Sequence, residues 1–363
     1  MQLDLHRHLE GSHSPSALLE VARTFGLRHP LFFDAATNSF RTPEALAGQL
    51  TMAAPSDDAT IFYQCIVKAR AAYVSVEAIR ALSVLAFREA ADDTDGFEMR
   101  LSLFSMARTL LENQQRAWRE VRPVDFAEQF ARPILLAVIA ARDEVQAATG
   151  KPMLLRLGLS RTFESEPHYR ALAAMVPEHA RALVGLDVLG IVTGADKEPL
   201  PGPLVEILEQ LRVHLPDLTI HAGEFEGHAS VDRTLELSPR GIGHGVHSLQ
   251  SPATLERLAK EGVTLEVCPT SNRLLIPTAL GQLQRAHGGA TPLKALQQAH
   301  VHCVLGSDDP TPMGTSFRRE LEVCGALGVD LPRLEADMQR RWRELTGEGT
   351  FTGGQLGATP TTR

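Results

Sequence analysis

Leu3-Asp4-Leu5-His6-Arg7-His8 opens this 363-residue chain with a short apolar run that ends in two histidines one residue apart. In an extended strand, positions i and i+2 point to the same face, so the two imidazoles would stand side by side at the strand's end. Two nitrogens on one face are half a metal site. What the fold is, and whether that half is completed, depends on how the other strand-like runs end.

Seven further apolar or β-branched runs can be read, at 99–104, 153–159, 183–189, 218–221, 241–246, 263–267 and 302–306. Amphipathic segments such as 125–149, 203–214, 254–261 and 293–300 lie between most of them. Strands alternating with helices imply parallel pairing through right-handed crossovers. Eight such units predict a (β/α)8 TIM barrel, with an open doubly wound sheet as the other arrangement. Residues 10–96 exceed what one crossover helix needs. A helical insertion between strands 1 and 2 is predicted there, with 60–88 strongly helical, in the position of a lid. No repeat or low-complexity linker divides the chain, which predicts one barrel domain over 1–346. The Gly- and Thr-rich residues 347–363 read as a flexible C-terminal tail.

Composition narrows the function classes. A net charge of -8 gives no electrostatic reason to bind nucleic acid or an anionic membrane surface. No apolar run approaches the ~20 residues of a bilayer span. The acidic, histidine-rich first ten residues are unlike a signal peptide, and a cytoplasmic location is expected. Cys65, Cys268, Cys303 and Cys324 lie far apart without a Cys-x-x-Cys, which predicts buried free thiols. Nothing in the sequence sets an oligomeric state.

In a (β/α)8 barrel, the loops after the strands' C-terminal ends build the site. The first strand ends in His6 and His8, the fifth in His221-Ala222-Gly223-Glu224, the sixth in Gly243-His244-Gly245, and the eighth in Ser307-Asp308-Asp309-Pro310. Three imidazoles and one carboxylate, His6, His8, His221 and Asp308, match what one Zn2+ per chain prefers while leaving room for water. Zinc would activate that water at neutral pH, and Asp308 could also accept a hydrogen bond from it. His244 could steer the nucleophile, and a protonated Glu224 could donate to the substrate. Gly223, Gly243, Gly245 and Ser307 are small enough to admit a ligand close to the backbone. Arg7 should point away from its neighbours into a supporting ion pair. Among the remaining histidines, read as packing or solvated, His228 and His247 lie nearest the mouth. The chemistry read from these residues is metal-assisted hydrolysis of a polar C–N or C–O centre.

Five elements, Leu5-His6-Arg7-His8-Leu9-Glu10-Gly11-Ser12, His221-Ala222-Gly223-Glu224, Ile242-Gly243-His244-Gly245-Val246, Cys268-Pro269-Thr270-Ser271-Asn272 and Ser307-Asp308-Asp309-Pro310, together resemble the adenosine deaminase family of the amidohydrolase superfamily. The resemblance spans most of residues 1–325. It implies a (β/α)8 barrel that binds zinc through His6, His8, His221 and Asp308. By the same resemblance, Glu224 would protonate purine N1 while hydroxide attacks C6, and His244 would orient that hydroxide. Asp309 would hydrogen-bond N7 and the Gly190 backbone would meet N3. Phe62, beside Tyr63, is the one aromatic pair that matches the family's apolar lid.

The implied substrate is a small 6-aminopurine nucleoside, adenosine or deoxyadenosine. Glu10 stands where adenosine deaminases carry Asp near the ribose, and where relatives acting on free adenine carry Glu. Gly243 and Gly190 point instead to nucleosides, and Gly190-Ile191-Val192 replaces the family's Gly-Asp-Glu. Free adenine and a 5′-substituted adenosine such as aminodeoxyfutalosine are the alternative substrates. A non-catalytic binding protein on the same fold is the third reading, opposed by the complete set of ligands, acid and orienting histidine. A two-metal hydrolase would need a bridging lysine, and no lysine ends the fourth or fifth strand.

Overall fold

The run at residues 3–8 forms a buried strand, β1 (Leu3–His8), and seven more strands follow it around a barrel. The computed structural model describes residues 1–192, 194 and 196–347. Residues 348–363, which the sequence assigns to a tail, lie outside them. The other strands are β2 (Gly96–Leu101), β3 (Met153–Ser160), β4 (Gly185–Leu189), β5 (Leu218–Ala222), β6 (Gly241–His244), β7 (Thr264–Val267) and β8 (His302–Leu305). Each pairs in parallel with the next, from β1 through β8. The circle closes where His8 N–H donates to Asp308 O (2.8 Å) and Asp308 N–H donates to His6 O (2.8 Å). The eight strands therefore close a (β/α)8 barrel, and the open-sheet alternative is excluded. Among the described residues, no helix is long and apolar enough to cross a membrane.

Helices occupy the crossovers, and their starts are encoded locally. Ser75 accepts from Ala78 N–H and begins Val76–Asp93, the helix that leads into β2. A serine hydroxyl satisfies one of the donors that every helix start leaves open. That cap also divides the stretch expected as one long helix at 60–88. Ala59–Ala69 runs on in a short 3-10 turn, Arg70–Ala72, and the chain restarts at Val76. Between β1 and that restart lie the helices Pro15–Thr24 and Pro43–Leu50 and a short hairpin joining Phe33–Asp34 to Ser39–Phe40. The second strand begins and ends three residues earlier than its apolar run suggests, because Glu98 faces inward in the barrel rather than bounding the strand.

The barrel interior departs from the usual branched aliphatic filling of this fold. Glu98, Arg100, Arg156, Asp187 and Glu266 are all buried inside it. Arg100 pairs with Glu98 (3.1 Å), Asp187 (3.1 Å) and Glu266, and donates to Leu5 O (3.2 Å). Arg156 meets both oxygens of Glu98 (2.8 and 2.8 Å) and pairs with Asp217 (2.8 Å). Asp217 in turn accepts two bonds (2.7 and 2.7 Å) from Arg341, on the helix Leu331–Thr346. Glycines make room for these long side chains. A Cβ at Gly185 would lie 2.5 Å from Arg156, and one at Gly241 would lie 2.7 Å from Glu266.

Candidate active site

Four donor groups, His6, His8, His221 and Asp308, stand at the C-terminal rim of this barrel with their donor atoms all within 4.8 Å of one another. His6 Nε2 is 3.2 Å from His8 Nε2, His8 Nε2 is 3.3 Å from Asp308 Oδ1, and His6 Nε2 is 3.6 Å from the same oxygen. Ligands about 2.1 Å from a tetrahedral centre stand about 3.4 Å apart, so the observed spacings suit one cation at the centre. The other ring nitrogens are already engaged. His6 Nδ1 donates to Glu266 (3.0 Å) and His221 Nδ1 to Asp187 (3.1 Å), which turns both Nε2 atoms to the cluster, where Arg100 Nη1 also lies 3.4 Å from His6 Nε2. Burial lowers the pKa of His221 to about 4 despite Asp187 beside it, so the ring stays neutral. Burial opposes the charge of Asp308, but hydrogen bonds with His6 and His8 outweigh it and hold the carboxyl well below its usual range. These residues fit a divalent metal.

The backbone around the cluster is shaped for it. Gly306 lies against His6, where a Cβ would meet His6 Cβ at 2.3 Å. A Cβ at Gly243 would fall 2.9 Å from the His221 ring and 3.1 Å from His6. Position 243 is therefore glycine because two imidazoles occupy its side-chain space. The other small residues differ from expectation. A side chain at Gly223 would meet Val231 (2.5 Å) and one at Gly245 would meet Leu265 (2.7 Å), both in positive-φ backbone, so packing and turn geometry require those glycines. Ser307 turns its hydroxyl to Asp4 (2.5 Å), away from the site. Arg7 forms the expected supporting contacts, with Asp4 (3.6 Å) and Ser12 (3.0 Å).

Glu224 and His244 face each other over the cluster. His244 Nε2 lies 3.5 Å from Glu224 Oε1 and 4.0 Å from Asp308 Oδ2. On its far side, the Asn272 amide nitrogen sits 3.1 Å from His244 Nδ1 and fixes the ring. Burial raises the pKa of Glu224 well above the carboxylate range, and the charges of Asp308 and Glu198 add to that against the pull of Arg161. A carboxyl that holds its proton more tightly than usual is suited to act as a general acid. Burial likewise keeps His244 well below its ordinary value, so it is a neutral base.

A cavity of about 500 Å3 opens above these groups. It brings together every residue expected at the site except His6, which lies below the surface: His8, Glu10, Phe62, Gly190, His221, Glu224, His244, Asp308 and Asp309 all line it. Glu10 accepts from Ser102 N–H (3.0 Å) and lies 3.7 Å from Arg70. Asp309 is buried, and a Cβ at Gly11 would fall 1.8 Å from its Oδ1, so glycine there makes room for it. Burial and the neighbouring Asp308 and Glu10 raise its pKa. Phe62 packs with Ile66, Leu275 and Met313 in a small apolar cluster at the mouth, its ring 5.1 Å from that of Tyr63.

The model of the adenosine deaminase family matches residues 2–333. The chain belongs to that family. It is 28% identical over 342 residues to an adenosine deaminase from Edwardsiella ictaluri, covering 92% of this chain and 89% of that protein. It is 40% identical over 121 residues to an adenine deaminase from a Chelativorans species, a stretch spanning 33% of this chain and 35% of that protein. A solved amidohydrolase from Burkholderia ambifaria with bound zinc shares the fold at a TM-score of 0.70 and 16% identity, over 96% of this chain and 90% of that one. Membership makes the chain a hydrolytic deaminase.

Several residues of this deaminase's site escape sequence reading. Glu266, Asp187 and Arg100 sit inside runs read only as strands, and their role comes from partners far away in the chain. Glu198 is buried in the segment between β4 and β5 and collects backbone donors from 223–225. Its only sequence signal is a short charged run, Asp196-Lys197-Glu198, in the Pro- and Gly-rich stretch 190–203. His247 is buried, with Nδ1 donating to Gly223 O (3.0 Å), and so supports the same loop. All four cysteines are buried and free, as expected.

Proposed function

We propose that the chain is a zinc-dependent deaminase of a 6-aminopurine nucleoside, converting adenosine or deoxyadenosine to inosine or deoxyinosine and ammonia. The observation that carries this reading is the placement of a buried carboxyl, Glu224, and a neutral imidazole, His244, 3.5 Å apart over a four-donor cluster. His6, His8, His221 and Asp308 would hold zinc, as a fold neighbour with bound zinc suggests. When bound, the ion lowers the pKa of water towards 7.

The chain's own groups supply the rest. His244 takes a proton from the attacking water as oxygen bonds to C6. Glu224 gives its proton to N1, so the ring does not carry the incoming electron pair as a bare anion. The C6–N6 bond then breaks, with the proton from His244 leaving on nitrogen as ammonia, and the second water proton restores Glu224. Asp309 faces N7, an acceptor, which calls for a carboxyl that carries a proton. Gly190, at φ +86° on the cavity wall, presents bare backbone to N3.

Three features favour a nucleoside over free adenine. The cavity is spacious enough that adenine alone would leave much of it to water. Glu10, fixed by Ser102, is positioned to accept a ribose hydroxyl there. The cations that face carboxylates in this outer part, Arg70 with Glu10 and Arg108 with Glu164 (2.5 Å), also suit an uncharged sugar. A panel of adenine, adenosine, deoxyadenosine and 5′-substituted adenosines, followed by ultraviolet absorbance, tests the reading. Adenosine and deoxyadenosine should show the highest kcat/KM. A higher value for adenine would replace the nucleoside with the free base.

A further inference from the structure

The Glu198 carboxylate is almost fully buried and surrounded by donors from one loop. Its Oε2 accepts from Gly223 N–H (2.7 Å) and from the Ser230 hydroxyl, and its Oε1 accepts from Glu224 N–H (3.0 Å) and Phe225 N–H (2.7 Å). Three consecutive amides of a turn rarely point at one group without a reason, since each must otherwise find an acceptor. Here the middle amide belongs to Glu224 itself and the others to its two chain neighbours.

The reverse contact is also made. Lys197 N–H donates to Glu226 Oε1 (2.5 Å), so segment 197–198 and loop 223–226 exchange bonds in both directions. Glu226 also pairs with Arg233 (2.9 Å), which ties the loop to the helix His228–Leu235. Arg161 donates to His221 O on the other side of the turn. Within the turn Gly223 adopts φ +62°, and a side chain there would strike Val231. Peptide planes are rigid, so fixing the three amides fixes the direction in which the Glu224 side chain leaves the backbone.

We propose that Glu198 is the positioning residue of this site: its carboxylate clamps the three amides of 223–225 and so aims the Glu224 side chain at the substrate. It touches neither substrate nor metal. Both of its oxygens face donors only, so an amide in its place would turn an NH2 towards N–H or O–H whichever way it rotates. The consequence for turnover rests on the deaminase reading, whereas the clamp itself does not.

The test combines kinetics with amide exchange on full-length, zinc-loaded protein. Glu198→Gln should lower kcat for adenosine about 10²-fold, the size expected when a reacting group is misplaced by about an ångström, with KM changed less than threefold. Hydrogen exchange in a peptide spanning 223–225 should quicken, and zinc content should stay at the wild-type level. In a Glu198→Gln/Glu224→Gln double variant, the first change should cost nothing beyond Glu224→Gln alone, because there is no longer an acid to aim. Wild-type kcat in Glu198→Gln, or losses that multiply in the double variant, would overturn the proposal. If Glu198→Gln does not fold, Glu198→Asp keeps the charge on a shorter arm and should lose kcat with unchanged KM; wild-type kcat there would equally overturn it. Should the wild type deaminate none of the purines tested, the deaminase reading fails, and unchanged exchange at 223–225 would still count separately against the clamp.

Discussion

Below the four-donor cluster and above it, the barrel treats polar groups in opposite ways. Below, Arg100, Arg156 and Arg341 alternate with Glu266, Glu98 and Asp217, and the carboxylates are bonded on more than one side. Above, Arg70 lines the cavity with its Nε unpartnered and only a 3.7 Å approach to Glu10. The carboxylates of the floor are saturated, with Arg341 Nε the one atom of its three guanidinium groups that lacks a partner, and the mouth is less completely paired. A saturated network holds its geometry without a ligand, so the imidazoles that Glu266 and Asp187 orient are set in advance. An unsaturated mouth leaves donors and acceptors for a substrate to complete. The proposed site thus joins a pre-set donor cluster to a surface with groups left for a substrate to complete.

Removing the group that works between the two regions should have the largest effect. Glu224→Gln is expected to lower kcat by about 10³-fold or more, within the range of general-acid contributions, while the melting temperature and zinc content stay at wild-type values. Near-normal turnover would take the acid role away from Glu224.

Breaking the floor should instead cost stability. Arg100→Met would leave Glu266, Asp187 and Glu98 buried with a lost partner, a change worth about 3–5 kcal/mol in denaturant unfolding. Zinc retention against a chelator should fall about 10–100-fold, because the carboxylates that orient His6 and His221 lose their anchor. Stability loss with unchanged zinc retention would separate the network from the metal platform.

Protons should reach the floor from its lower end. Burial works against the charge of Asp217, but Arg156 and Arg341 outweigh it and bring its pKa down to about 2. A carboxylate with a depressed folded-state pKa stabilises fully above its unfolded value near 4 and loses that stabilisation as pH falls through its folded value. The shift corresponds to about 2 kcal/mol, lost between about pH 4 and pH 2. Asp217→Asn should therefore flatten the stability profile over that interval, and parallel profiles for the two proteins would contradict the assignment.

The smallest effect belongs to the mouth. Glu10→Ala should cost about tenfold in kcat/KM for adenosine, the worth of one hydrogen bond to a charged acceptor, and less for adenine. Equal losses on the two would refute a ribose contact.

The same division explains what the sequence discloses. His6, His8, His221, His244 and Asp308 were legible because each stands at or just past the C-terminal end of a strand, and strand ends follow from local apolar runs and the period of two. The barrel followed from counting those runs. The floor was hidden because Glu98, Arg100, Arg156, Asp187 and Glu266 interrupt apolar runs as isolated charges, and only the closed barrel pairs them. Glu198 was hidden for a related reason, since its partners are backbone amides about twenty-five residues away, which carry no side-chain signature. The break at Ser75 was hidden because the apolar periodicity on both sides of it reads as one helix.

The central claim is that hydrolysis depends on one zinc held by His6, His8, His221 and Asp308. The direct measurement titrates metal-stripped protein with zinc while following ammonia release from adenosine and zinc bound per chain. Activity should rise in proportion to zinc and level off close to one ion per chain. Full turnover in the metal-stripped protein, or a plateau reached only at two ions, would contradict the account.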